Sequence, residues 1–296
     1  MKYSKENQPL VCMQTQSTCY KEAGNMNIKG ILWHSTGANN PNLKRYVQPS
    51  DNATDKSKML KLLGTNTNKN DWNHIDVKKG VNAWIGKLED GTVTTVQTMP
   101  WDHKSWGCGT GSIGSCNDGW IQFEICEDNL ASEAYFNAIY AEACELTAYL
   151  CNLYNLDPKG TVDYMGRSIP VILCHADSHK LGFGSNHGDI LHWTKKYGKT
   201  MDTIRDDVAN ILATISKKIE IIEDDKDDIQ GLFTVKKSQF ENSIGTFLSF
   251  NKAKKACDKA GKDYCVYDGA LEIIMYPEDK VVYKKPKTSS TAKKTI

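Results

Sequence analysis

The sequence has no apolar run approaching ~18 residues, the length a membrane-spanning helix needs, so no membrane span is expected. Its first segment, MKYSKENQPLVCMQTQSTCY, lacks the apolar stretch of a secretory signal. The chain is therefore expected to be made in a cytoplasm without a signal peptide, and to reach any outside target only after release. No CxxC pair occurs among its ten cysteines, which excludes a zinc ribbon and a thioredoxin-like redox motif. No HExxH occurs either, so the helix-borne signature of a zinc peptidase is missing. Charge of one sign is also lacking. The 37 basic and 36 acidic side chains leave a formal net charge of +1, so nothing draws the whole chain to nucleic acid, and no such partner is expected.

Several of the cysteines sit inside apolar runs, Cys126 in WIQFEIC and Cys174 in VILC, where a free thiol behaves as a small hydrophobe. Buried, reduced cysteines are the expectation for a protein made in a cytosol. One disulfide, Cys12–Cys19 or Cys108–Cys116, stays open.

The first 215 or so residues mix strand and helix signals. IKGILWH reads as a short buried strand ending at His34, and the turn-rich STGANNPN follows it. NAWIGKLEDGTVTTVQTMP reads as two strands joined at Asp90-Gly91. WIQFEIC is a strand with Glu124 near its centre, and a Gly/Cys/Ser-rich loop, 107–119, precedes it. From about Ala131 to Tyr154, Tyr135, Ile139, Ala143, Leu146, Leu150 and Leu153 form one apolar helical stripe, which Pro158 and Gly160 stop. VILCH is another buried strand ending at a histidine, His175, and an irregular loop runs on through Asn186. A last helix starts near Met201.

The run of Glu223, Asp224, Asp225, Asp227 and Asp228 is too polar to pack. It sets the domain expectation: a first domain over 1–216, an acidic linker over 217–230, a small module over 231–284 and a basic tail over 285–296 without a packed core. From Gly231 onward 13 Lys stand against 7 acidic residues. The module reads as strand LFTV, helix FNKAKKACDKAG, strand YCVYD and strand LEIIMYP.

Two strands that each deliver a histidine at their end are a frame for a metal site, because the strand fixes the ligand. Asp189 lies fourteen residues past His175. Two imidazoles and a carboxylate suit Zn²⁺ and leave a fourth position open. Spacing alone leaves His179, His187 and His192 as alternatives, and a lone strand-end histidine is more often structural. Glu124 is unusual in another way. A carboxylate within an apolar strand is uncommon, and the competing assignment is a core-edge group paired with a lysine.

Three separated segments, GILWHSTGANNPNLKRYVQPSD, WIQFEICED and ILCHADSHKLGFGSNHGDILHW, occur in the order found in the type-2 N-acetylmuramoyl-L-alanine amidase family. The chain resembles that family, which includes phage endolysins and peptidoglycan recognition proteins, over about residues 28 to 215. The resemblance implies an α/β fold, a mixed central β-sheet flanked by helices, with the small C-terminal α+β module added. It implies Zn²⁺ held by His34, His175 and Asp189, the last in a basic-x-Asp pattern that His187-Gly188-Asp189 fills. It gives Glu124, in Ile121-Gln122-Phe123-Glu124-Ile125, the catalytic acid–base role, and His187 the role of oxyanion partner. His187 stands where relatives usually carry Lys. No catalytic role falls on Asn82-Ala83-Trp84-Ile85.

The implied activity is zinc-dependent hydrolysis of the amide between N-acetylmuramic acid and L-alanine in peptidoglycan, lysing the bacterial cell wall. The implied partner is peptidoglycan, and the Lys-rich module would add anionic wall polymers. One or two of the seven tryptophans are expected to line a sugar groove, and the rest to be core. The rival reading is a peptidoglycan-binding protein on the same fold that does not cut. The ligand-capable residues at all three matched positions favour the enzyme.

Overall fold

The computed structural model describes residues 1–4, 7–223, 230–236, 243–261, 264–267 and 273–275. The chain divides into two compact units, Met1–Ile215 and Ser216–Ile296. In the first, β1 (Leu10–Val11) and the short helix α1 (Thr18–Glu22) precede β2 (Gly30–Ser35) and α2 (Lys56–Leu63). The hairpin β3 (Ala83–Lys87)–β4 (Val93–Gln97) and β5 (Trp120–Ile125) follow, then the long helix α3 (Glu133–Leu153). A second hairpin, β6 (Thr161–Tyr164)–β7 (Arg167–Pro170), leads to β8 (Ile172–Cys174), α4 (His175–Lys180), α5 (Leu191–Thr194) and α6 (Met201–Glu223), a helix that runs past the unit boundary at Ile215.

Six strands form one mixed sheet in the order β1-β4-β3-β5-β2-β8. Strands β3, β5, β2 and β8 run parallel, and β4 is antiparallel to β3. Parallel strands buried on both faces read as near-continuous apolar runs. That is why ILW and VILC carry no alternation. The pleat still sorts them. Ile31, Trp33, Ile121 and Phe123 join a core with α3 and α6, whereas Leu32, Trp120 and Leu173 pack on the opposite face with Tyr164 and Phe183. Trp33 meets Phe123 at 5.3 Å between ring centroids.

The expected helix forms as α3, capped by Ser132, whose hydroxyl accepts the Tyr135 amide at 3.1 Å. Such a cap is worth about 1 kcal/mol. The Asp90-Gly91 turn joins β3 to β4, with Gly91 at φ +85°, a left-handed conformation that glycine adopts without steric cost. All ten cysteines are buried and free, so neither open disulfide forms. The expected irregular loop after His175 instead begins with α4. Helix α2 and the β6–β7 hairpin answer to no sequence signal read above.

In the second unit, β9 (Gln230–Lys236), β10 (Gly245–Ser249), β11 (Cys265–Tyr267) and β12 (Ile273–Met275) make an antiparallel sheet ordered β10-β9-β11-β12. Helix α7 (Phe250–Ala260) lies between β10 and β11 in sequence. Phe233, Val235, Phe250, Ala253, Cys257 and Val266 form its core. The sequence reading missed β10. Helix α6 runs through Glu223, into the segment read as linker, while residues 224–229 and the basic tail 285–296 lie outside the described residues. Among the described residues no helix is long and apolar enough to cross a membrane.

Candidate metal centre and catalytic cleft

The parallel strands end along one edge of the sheet, where the next residues turn away and side chains converge. Crevices at the carboxyl ends of parallel strands are where α/β proteins bind ligands. His34 is the fifth residue of β2. In register beside it on β5 lies Glu124, and beside Glu124 on β3 lies Trp84. His175 follows β8 directly and opens α4. Asp189 arrives from the loop after α4.

The three predicted ligands meet. His34 Nδ1 lies 3.1 Å from an Asp189 carboxylate oxygen and 3.1 Å from His175 Nδ1. His175 Nδ1 lies 3.5 Å from the other carboxylate oxygen. One ligand atom from each residue falls within 4.8 Å of the other two. The ring nitrogens pointing away have partners of their own. His34 Nε2 lies 2.8 Å from Gln122 Oε1, and His175 Nε2 lies 3.2 Å from Ser185 Oγ. An amide oxygen only accepts, so His34 carries its proton on Nε2. A neutral His34 therefore turns a bare lone pair on Nδ1 toward His175 Nδ1 and a carboxylate. Such a cluster is stable only around a cation. A proton satisfies one pair of atoms, and a metal ion satisfies all three donors. The donor set therefore fits a divalent metal.

The electrostatics agree. Burial works to lower the His34 pKa, but the hydrogen bond to Asp189 and the charges of Glu124 and Asp189 raise it to about 9. Burial works to raise Asp189, but its hydrogen bonds to His175 and His34 hold it well below the usual carboxylate range. Both shifts have one cause, a carboxylate and two imidazoles held together, and both favour positive charge at this point.

The predicted acid–base residue faces the same cleft. Burial raises the Glu124 carboxyl to about 7, the charge of His34 opposes this, and Asp189 and Glu127 reinforce it. Its Oε2 is buried and, among the described residues, has no hydrogen-bond partner. The competing assignment, a carboxylate paired with a lysine, finds no hydrogen bond or ion pair there among the described residues. Of the alternative histidines, His179 lies near the Gly184 carbonyl at 3.2 Å and His192 near Glu127 at 3.0 Å, so neither joins the cluster. His187 is exposed, with its ring edge-on to His175 at 4.7 Å between centroids.

His34, Glu124, His175, His187 and Asp189 line a cavity of about 660 Å³. Trp72 and Trp106 line it too, while Trp33, Trp84, Trp101, Trp120 and Trp193 are buried. Lys78 and Lys79 stand exposed at its rim. Sequence reasoning passed over Gln122, Ser185 and Glu127. Gln122 had a signal, since it precedes Glu124 by two residues and so shares its strand face. Ser185 had none. Glu127 is buried and accepts the Gly37 amide at 3.0 Å besides meeting His192, so it ties the loop after His34 to the segment after Asp189.

A family model described as N-acetylmuramoyl-L-alanine amidase matches residues 24–189, more than half of the chain. The chain belongs to this family. Members are typically metal-dependent, and the match spans the whole His34–His175–Asp189 cluster. Membership carries the coarse activity, an amidase acting on peptidoglycan. Among solved structures, the chain is similar to the Staphylococcus aureus hydrolase AmiA in complex with its ligand. Identity is 18% and the TM-score 0.43, over 69% of this chain and 80% of that one. It is similar to PlyL at 16% identity and TM-score 0.41, over 67% and 93% of the two chains. A mutant endolysin from Bacillus subtilis follows at 15% and 0.40, over 68% and 99%. No curated protein sequence matches.

Proposed function

We propose that the chain is a zinc-dependent amidase of the endolysin type, which hydrolyses the bond between the lactyl group of N-acetylmuramic acid and L-alanine of the stem peptide. The observation that carries this reading is the convergence of His34 Nδ1, His175 Nδ1 and the Asp189 carboxylate beside the unpartnered Oε2 of Glu124. His34, His175 and Asp189 would hold Zn²⁺. Zinc, when bound, supplies Lewis acidity that polarises an amide carbonyl and brings the pKa of water to about 7. Glu124 takes the proton of the attacking water and delivers it to the leaving nitrogen of L-alanine. Burial pushes its carboxyl up to about 7 before any metal is bound, toward the range where one group can both take and give a proton. His187, exposed at the cleft, donates an imidazole N–H to the developing oxyanion. Trp72 and Trp106 supply aromatic faces for sugar rings.

The second unit is proposed as a wall-binding module whose lysine surplus favours anionic wall polymers. Its test is wall sedimentation of the full chain against a chain ending at Ile215. Equal binding by both rejects the role. The enzyme would be made in the bacterial cytoplasm and act on the wall after release.

Digestion of purified peptidoglycan, with the new termini assigned by mass spectrometry, tests the activity. Free L-alanine amino ends without new reducing sugars are expected. Binding without new ends would instead mark a recognition protein that does not cut.

A further inference from the structure

The Gly/Cys/Ser-rich loop 107–119 has no part in the chemistry above, yet both ligand histidines lean on it. Behind His34, Gln122 Oε1 sits at 2.8 Å from Nε2. The Gln122 amide nitrogen donates to Asn117 Oδ1 at 2.9 Å. That same oxygen accepts the backbone N–H of Cys108 at 3.1 Å. Behind His175, Ser185 Oγ sits at 3.2 Å from Nε2 and donates its proton to the Cys108 carbonyl at 3.1 Å. The Ser185 backbone N–H donates to the same carbonyl at 2.8 Å. Both chains end on Cys108.

Backbone polarity is fixed, and this fixes everything downstream. A backbone N–H only donates, so Asn117 must present its oxygen to Cys108. That oxygen then requires the amide nitrogen of Gln122, since a flipped Gln122 would set two acceptors 2.9 Å apart. Gln122 is left with its oxygen toward His34, which must answer with Nε2–H. On the other side, a backbone carbonyl only accepts. The Ser185 proton goes to it, and a lone pair of Oγ faces His175, which must also answer with Nε2–H. Both rings then turn an Nδ1 lone pair to the metal position.

The flanking glycines leave room for this. A Cβ on Gly107 would fall 2.4 Å from Gln122 Oε1 and 3.3 Å from His34 Nε2. A Cβ on Gly109 would fall 2.8 Å from Ser185 Oγ, and its φ is +66°.

We infer that the Gly107-Cys108-Gly109 segment, acting through Asn117–Gln122 on one side and Ser185 on the other, is a tautomer lock that sets both ligand histidines to bind metal through Nδ1. Asn117, Gln122 and Ser185 are positioning residues. Outer partners of this kind commonly change metal affinity 10–100-fold, by rough precedent. Asn117 decides the question best, because it touches neither the histidines nor the metal position. The inference rests on the metal reading above.

The test uses full-length parent, Asn117→Leu and Asn117→Asp. Zinc affinity is measured by competition with a chromogenic chelator, alongside the thermal midpoint of the metal-free proteins. Asn117→Leu should bind zinc about 10–100-fold more weakly, and Asn117→Asp, which keeps the acceptor oxygen, should stay near the parent. A midpoint loss in Asn117→Leu with parental zinc affinity overturns the lock, since a merely structural role predicts that result. Ring-nitrogen NMR of the zinc-loaded parent gives a second readout that needs no variant. A proton on Nε2 of both rings supports the lock, and a proton on Nδ1 of either overturns it. A parent that binds no zinc overturns the metal reading, whereas a parent that binds zinc with a proton on Nδ1 of either ring overturns the lock alone.

Discussion

His34 Nδ1 and His175 Nδ1 stand 3.1 Å apart, each within 3.5 Å of an oxygen of Asp189. Two imidazole lone pairs brought this close repel unless a cation lies between them. Removing one ring should therefore remove the site. His34→Ala leaves two donors, and its zinc content by elemental analysis should fall to background. Retention of a full equivalent would sink the ligand assignment.

Glu124 holds no metal in this reading and makes no ion pair among the described residues, so its carboxamide analogue should fold and bind zinc as the parent does. Glu124→Gln cannot take a proton from water. General acid–base groups contribute typically 10²–10⁴-fold, and a loss of roughly that size is expected in wall-lytic rate. Parental lysis by this variant, with zinc intact, would rule out the role.

The pH profile follows from the same residue. Glu124 works as a base only when ionised, and burial places its pKa at about 7 without metal. A bound dication favours the carboxylate and lowers that value. The rate should fall toward acid with a limb at or below about 7. The limb should disappear in Glu124→Gln, measured on whatever residual activity remains. A profile of identical shape in parent and variant would contradict it.

Metal removal should expose the charge design of the site. The His34 pKa in the folded, metal-free protein is about 9, raised from 6.5. The protonated ring favours the folded state, so its contribution is complete below about pH 6.5 and is lost as pH rises through 9. The size is at most on the order of 3 kcal/mol. Denaturant midpoints of chelator-treated protein should fall between these pH values. A midpoint that rises over the same interval would contradict the His34–Asp189 pairing.

The sequence carried a good part of the frame. Apolar runs ending at His34 and His175 became β2 and β8, Asp90-Gly91 became the hairpin turn, and the apolar stripe from Tyr135 to Leu153 became α3. Each is a local pattern with a local cause. Helix α2 was missed because eight residues, KSKMLKLL, bury only Met59 and Leu63. The β6–β7 hairpin was missed because its strands are mostly exposed and polar, which erases the alternation that marks a strand.

Residue identity and period thus determined which side chains stand at strand ends and on which strand face, and the family motif singled out His34, His175, Asp189 and Glu124. Only the tertiary structure decided that these meet within one cleft while His179 and His192 turn to Gly184 and Glu127. It alone decided which ring nitrogens converge and that Cys108 anchors both rings from behind. The reason is that period fixes the direction of a side chain relative to its own strand. What it meets there depends on parallel pairing between strands some 90 to 140 residues apart, as between β2, β5 and β8, and no local pattern encodes that register.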